Sequence, residues 1–214
     1  MTGETNTSSM NAAVERRDRN RQEMRETILA SARRILFEQG VASLSMRAVA
    51  RDIGYSPASL YEYFPSKAVL CQSLFFEGAN GLSGWMRAVT ESFSENARAQ
   101  DITGAMAKAY RSYALQNREL YLLVFSNPVP DFVPAEGDRR KASDGFDLLT
   151  SAILRGAEQG DMHVDNPVSS AIAAWTVVHG FVMLEIVGYL DGRGESADQL
   201  FQDVLTQVGR GLGK

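Results

Sequence analysis

An all-α fold is predicted for this 214-residue chain by three observations: apolar side chains recur at helical spacing along most of its length, no stretch sustains period-2 alternation, and Gly, Pro and Asn gather at the joints between periodic runs. Its 44% hydrophobic content is enough for one large domain or two small ones. Charge divides the chain more sharply than hydropathy does. Residues 16–67 hold ten basic and six acidic side chains, whereas residues 68–214 hold twelve and eighteen, within a net charge of −4. The whole molecule has no positive field to hold it on nucleic acid or an anionic membrane, so such binding requires a local patch. The single cysteine, Cys71, and two separated histidines, His163 and His179, give neither an internal disulfide nor a ligand cluster. No metal and no cofactor is expected. The first nineteen residues lack a basic start followed by an apolar run, which predicts a cytoplasmic location.

Taken in order, residues 1–15 are rich in Thr, Ser and Asn and hold no aromatic residue, so they are expected to be a disordered tail. Met24, Ile28, Ala32, Ile35 and Leu36 then form one stripe of a long helix that Gly40 is placed to end in a left-handed cap. Residues 16–67 form the first expected domain and 68–214 the second. In the second, helices are expected at about 66–96, 102–116, 117–126, 138–159, 167–191 and 196–210, separated by Asn127-Pro128, Pro130, Pro134, Gly160, Asn166-Pro167 and Gly192–Gly194. The apolar run Ala171–Leu190 approaches the length of a membrane span. It contains His179, Glu185, Gly180 and Gly188 and has no basic flank, so it is read as a helix buried on two sides, and no membrane partner is expected.

Between these domains' long helices, Ser43–Lys67 reads as two short helices and a tight turn. Ser45 caps the first, Leu44 and Val49 staple it, Ile53 completes its buried face and Gly54 supplies the positive φ that stops it. Ser56 repeats the cap, Pro57 suits the first helical position, Tyr55 and Leu60 form a second staple, and Pro65 ends the element beyond Phe64. Each helix is expected to run about eight residues, too short to persist without packing. Small Ala50 at the crossing, Gly54 in the turn and Leu60 returning to the core are the arithmetic of a helix-turn-helix. The second helix opens with Pro57, Ala58 and Ser59, so nothing bulky keeps its backbone from a phosphate or base edge. Tyr61 and Tyr63 lie on its outer face, Arg47 is suited to a guanine edge, and Lys67 to a flanking phosphate. Arginines 16, 17, 19, 21 and 25 supply a basic arm for the backbone.

At these residues the chain resembles the tetracycline-repressor (TetR) family of bacterial transcription regulators. The resemblance rests on Ile35-Leu36-Phe37-Glu38-Gln39-Gly40, on Ser45-Met46-Arg47-Ala48-Val49-Ala50, and above all on the run from Gly54 through Tyr55-Ser56-Pro57-Ala58-Ser59-Leu60-Tyr61-Glu62-Tyr63-Phe64 to Lys67. It covers roughly residues 20–70. Tyr63 stands where the family usually holds His before the Phe; it keeps a donor for phosphate but carries no charge at neutral pH. The resemblance implies a homodimer that sets two N-terminal units into successive major grooves of a near-palindromic double-stranded DNA operator. By the same resemblance Arg47, Ala58 and Ser59 face base edges, Ser45, Ser56, Tyr61, Tyr63 and Lys67 face phosphates, and Met46 and Pro57 fall within the contacting segments.

Family members use the second domain to bind a small molecule and to dimerise. Trp85, Met106, Tyr110, Tyr113, Phe125, Phe146, Trp175, His179 and Met183 are candidates for the wall of an apolar effector pocket, with a Trp175-x-x-x-His179-Gly180 element similar to one in some members. Gly180, Leu184 and Val187, with Leu200, Val204, Leu205 and Val208 of the last helix, are candidates for a four-helix dimer interface. Two other classes compete with a repressor: an all-helical small-molecule-binding protein or enzyme without DNA binding, and a helical adaptor for protein partners. The enzyme lacks a nucleophile in a recognisable setting, metal-ligand spacing and a phosphate loop. The adaptor leaves the basic bias of residues 16–67 without a use.

Overall fold

The computed structural model describes residues 4–126, 129, 132–192 and 194–212. Among these residues the regular structure is helical: ten α-helices and a 3-10 turn, with no strand. They fall into two compact units, one made of residues 1–75 and 126–133, the other of residues 76–125 and 134–214.

The first unit opens with α1 (Glu4–Gln39), whose stripe Ile28, Ala32, Ile35 and Leu36 is buried as the spacing predicts. Residues 4–15 continue this helix where an unstructured tail is expected; residues 1–3 of that tail lie outside the described residues. Once packing of Ile28–Leu36 nucleates the helix, each added residue gains a hydrogen bond without a new nucleation penalty, and Ala12, Ala13 and Glu15 favour propagation. Gly40 ends α1 at positive φ (77°), but its ψ of 171° is extended rather than left-handed helical, and the chain passes straight into the 3-10 turn Val41–Ser43. The next helices are α2 (Met46–Asp52) and α3 (Pro57–Leu60), followed by α4 (Lys67–Glu91), for which Ser66 Oγ accepts the Val69 N–H. Leu44, Val49, Ala50, Leu60, Phe64, Leu70, Leu74 and Phe75 close the core with α1. Val129 and Phe132 add to it, the latter edge-on to Phe75 at 6.0 Å.

In the second unit, the remainder of α4 packs with α5 (Ala99–Gln116), α6 (Arg118–Phe125), α7 (Glu136–Lys141), α8 (Asp144–Gln159), α9 (Pro167–Ile186) and α10 (Ala197–Leu212). The helix expected at 138–159 is two, broken at Ala142-Ser143. The helix expected to reach 191 stops at Ile186, and Gly188 then takes φ 74° in the following turn. Asn166 and Pro167, read as a breaker, are the N-cap and first residue of α9, with the Asn166 side chain accepting the Ser169 N–H at 3.1 Å. The α4 and α5 backbones approach closely at Gly81, where a Cβ would lie 2.5 Å from Tyr113 Oη.

Within one chain α9 is covered on one side only. Ala171, Val178, Phe181, Val182 and Ile186 are buried, while Val168, Ile172, Val177, Leu184 and Val187 are exposed. The burial on two sides read from the sequence is therefore not found: one side of α9 is open. The reason is that α10 turns its apolar stripe, including Phe201, into its own unit and shows Gln202, Asp203, Thr206 and Gln207 to solvent.

Candidate nucleic-acid interface and ligand cavity

Both short helices are capped as the sequence predicts: Ser45 Oγ accepts the Ala48 N–H at 3.1 Å and Ser56 Oγ the Ser59 N–H at 3.2 Å. Gly54, at φ 74°, turns the chain between them. The second helix is shorter than the eight residues expected, with Tyr61–Tyr63 in a turn held by Tyr63 N–H and Phe64 N–H donating to the Leu60 carbonyl. Leu60 is sealed, yet its expected staple partner Tyr55 is 47% exposed, so the anchor is Leu60 alone.

Arg47, Ser56, Pro57, Ala58 and Tyr61 are exposed, and Ser45, Ser59, Tyr63 and Lys67 half-buried. Met46 is different. At 5% exposure it belongs to the buried core of the unit and not to the surface open to DNA. The arginines also divide. Arg16, Arg17 and Arg19 are exposed, but Arg21 Nη2 donates to the Glu62 carbonyl at 2.9 Å and Arg25 Nη1 to the Tyr63 carbonyl at 2.5 Å. Arg25 also lies over the Phe64 ring at 4.2 Å, and Arg21 over Tyr63 at 5.6 Å. These two are a clamp on the orphan carbonyls after α3 rather than members of a free arm. Their i, i+4 spacing beside the buried stripe was the one trace of this in the sequence. A second tie joins α1 to α2: Ser31 Oγ donates to Asp52 Oδ2 at 2.5 Å and Arg34 pairs with the same oxygen. The Ser31 hydrogen bond, aided by Arg34, holds the Asp52 carboxyl below its ordinary pKa.

The second unit contains a cavity of about 600 Å³ between α4, α5, α8, α9 and α10. Of the expected wall residues, Met106, Tyr110 and Trp175 line it. Trp85, Tyr113, Phe125, Phe146, His179 and Met183 do not. Tyr113 is buried, donates to the Gly78 carbonyl at 2.9 Å and meets Trp85 edge-on at 5.7 Å. Phe125 and Phe146 each pack against Trp175 at 6.0 Å, and Met183 packs on the core. His179 stands one layer behind the wall, its Nδ1 at 3.0 Å from Tyr110 Oη and 2.7 Å from Tyr121 Oη, while Trp175 Nε1 donates to Tyr110 Oη at 3.1 Å. Burial lowers the His179 pKa and so keeps the imidazole neutral, and burial likewise pushes the Tyr110 phenol up to about 12 and raises that of Tyr121.

Leu205 and Val208, expected in a dimer interface, line the cavity instead, and Leu200 and Val204 pack on the core of their own unit. Their helix is one-sided, with Phe201 buried, Leu200, Val204, Leu205 and Val208 half-buried, and Gln202, Asp203, Thr206 and Gln207 exposed. Gly180, half-buried, and exposed Leu184 and Val187 remain on the open side of α9. Sequence reasoning missed Met86, Met162, Thr103, Gln100 and Asp161 in the wall. Asp161 follows Gly160 in what the sequence marks only as a breaker, so no periodic signal points to it.

A capped helix pair with a bare leading edge, joined in one chain to a helical unit with an internal cavity, is the layout of a helix-turn-helix protein with a second, helical domain. Residues 28–74 match the bacterial regulatory proteins of the tetR family and residues 104–208 the tetracyclin repressor-like C-terminal domain: the chain belongs to the TetR family. It is similar to the HTH-type transcriptional regulator Rv1816 of Mycobacterium tuberculosis, with 27% identity over 150 residues, 70% of this chain and 64% of that regulator. The chain thus matches less than two thirds of that relative's length. A Rhodococcus sp. RHA1 protein of unknown function has a similar structure, with a TM-score of 0.78 and 28% identity over 89% of this chain and 95% of the other. The TetR regulator PfmR of Thermus thermophilus shares the fold with a TM-score of 0.65 at 19% identity, over 87% and 99% of the two chains.

Proposed function

We propose that the protein is a ligand-responsive transcriptional repressor of the cytoplasm, not an enzyme, that binds a near-palindromic operator as a homodimer and releases it when a small apolar effector fills the cavity. The observation that carries the reading is the leading edge of α3. Ser56, Pro57 and Ala58 are exposed there while Leu60 and Phe64 are buried and Arg21 and Arg25 grip the carbonyls behind them, so the edge is both accessible and fixed. Arg47, exposed on α2, reads base edges; Ala58 and Ser59 lie at the bases, and Ser45, Ser56, Tyr61, Tyr63 and Lys67 meet phosphates. The operator's two half-sites are about 34–36 Å apart, one helical turn.

The open face of α9, Val168, Ile172, Val177, Gly180, Leu184 and Val187, is the surface on which a second copy packs. A run of exposed large apolar residues along one helix is what an obligate partner covers. Effector and DNA compete through α4, whose first residues belong to the first unit and the remainder to the second. A coupling of about 1–3 kcal/mol lowers operator affinity roughly 5- to 150-fold.

Titration of the purified protein on the DNA upstream of its own gene, at several salt concentrations, tests this. A saturable shift above random DNA is expected, and its absence ends the proposal. Arg47→Ala is expected to relax sequence preference, whereas Lys67→Ala weakens all sequences and flattens the salt slope by about one.

A further inference from the structure

The face of α1 that buries Ile28, Ala32 and Ile35 changes its task as the helix runs outward from the core. Counted back from Ile28 in steps of three, four and four residues, the same face carries Arg25, Arg21 and Arg17. The first two meet the turn that follows α3: Arg25 Nη1 donates to the Tyr63 carbonyl at 2.5 Å and Arg21 Nη2 to the Glu62 carbonyl at 2.9 Å. Arg21 also lies over the Tyr63 ring at 5.6 Å, so the row runs beside a side chain placed at the phosphates. Arg17 stands one helical turn further out, about 6 Å along the axis. It is exposed, as is every residue from Val14 to Glu23, and among the described residues it makes no ion pair or hydrogen bond, neither with Asp18 on its own helix nor with Glu62. A guanidinium keeps its charge at any working pH, so this cation is held at the edge of the α3 surface without an anion.

Arg16 and Arg19 are placed differently. They lie on the opposite face of α1, where Glu15 and Glu23 stand four residues to either side of Arg19, so two cations and two anions offset one another. We infer that Arg17 is a further DNA contact, binding a phosphate next to the one that Tyr63 meets, and that Arg16 and Arg19 are not contacts. Arg21 and Arg25 pin α1 to the turn after α3, so the Arg17 backbone is already ordered before DNA arrives and little entropy is lost in placing it. The inference rests on the reading of the chain as a DNA-binding regulator.

Titration of the whole protein on the DNA upstream of its own gene, between about 50 and 200 mM salt, is the test. Each phosphate neutralised adds about 0.9 to the slope of log affinity against log salt, so with two copies of Arg17 in the proposed dimer the affinity of the unaltered protein is expected to fall about tenfold more across this range than that of Arg17→Ala. Alanine is the best helix former, so the change does not come from fraying of α1, and circular dichroism checks the helix content. Arg17→Lys keeps a point charge and is expected to keep the slope. Arg16→Ala and Arg19→Ala are expected to leave it near that of the unaltered protein. An unchanged slope in Arg17→Ala, a slope lost equally in Arg17→Lys, or an equal loss in Arg16→Ala or Arg19→Ala each overturns the inference while the regulator reading stands. If the unaltered protein binds its upstream DNA no better than random DNA, the regulator reading fails and the inference falls with it.

Discussion

Removing the Glu185 carboxylate tests how the second unit is held together. Arg111 on α5 makes a two-pronged contact with Glu185 on α9, Nε to Oε2 at 2.7 Å and Nη2 to Oε1 at 2.6 Å, and a third contact from Nη1 to Asp198 on α10 at 2.7 Å. The Arg111 and Glu185 side chains are only 13% and 14% exposed, whereas Asp198 is 83% exposed. The same distances therefore carry different energies. Glu185→Ala leaves a largely desolvated guanidinium, for which breaking a buried pair costs about 3–5 kcal/mol. Asp198 and the ring of Phe201, 5.0 Å from the guanidinium carbon, remain to meet the charge, so about 2–4 kcal/mol is expected. Asp198→Ala removes a partner already in water and is expected to cost about 0–1 kcal/mol. Arg111→Met combined with Glu185→Leu is expected to recover most of the loss, since no charge is then stranded. Denaturant unfolding at a fixed protein concentration is the assay, because the proposed dimer would make apparent stability depend on concentration. If Glu185→Ala costs no more than Asp198→Ala, burial does not set the strength of these contacts and the reasoning is refuted.

Gly156→Ala places a Cβ 2.9 Å from the Ala99 Cβ and 2.6 Å from Met162 Sδ, so it is expected to destabilise by about 1–3 kcal/mol in urea melts despite alanine's better helix propensity. Burial raises the Tyr110 and Tyr113 phenols to about 12, so the unfolded chain loses these protons first; stability is expected to fall from about pH 10 toward pH 12, with tyrosinate absorbance appearing together with unfolding. His179 has its pKa lowered by burial, so the unfolded state takes up its proton first as pH drops through the ordinary value of 6.5; stability is expected to decline there, and His179→Gln to flatten the decline in equilibrium melts. Asp52 works further down the scale: with its pKa lowered by Ser31, its contribution is full above the ordinary 3.8 and vanishes as pH falls through the folded value, so Ser31→Ala is expected to weaken the pH dependence of unfolding between about pH 5 and pH 2.

Local chemistry carried the first unit in the sequence. Ser45, Gly54, Ser56 and Pro57 act on neighbours within four residues, by capping, turning or pre-setting the backbone, and a chain read in one dimension exposes such rules. The stripe from Ile28 to Leu36 is legible for the same reason, since helical period and burial coincide. Apolar spacing states that a face is covered without stating by what. That is why Leu205 and Val208 read as a dimer surface yet line a cavity, why Met46 read as part of a contact strip yet lies in the core, and why Trp85 and Tyr113 pair with each other rather than with a guest. Arg21 and Arg25 read as a basic arm because nothing in sequence shows that the Glu62 and Tyr63 carbonyls, 41 and 38 residues away, come within reach. Asp161 was invisible for a deeper reason: a place in a cavity wall is a property of everything around it. The helical class, the two short capped helices and the family follow from residue order alone, because they rest on contacts between near neighbours in the chain. Three-dimensional packing settles which arginines are spent on the fold, which apolar stripes face inward and which carboxylate borders the cavity, because those depend on pairs of groups far apart in the chain whose approach no local pattern encodes.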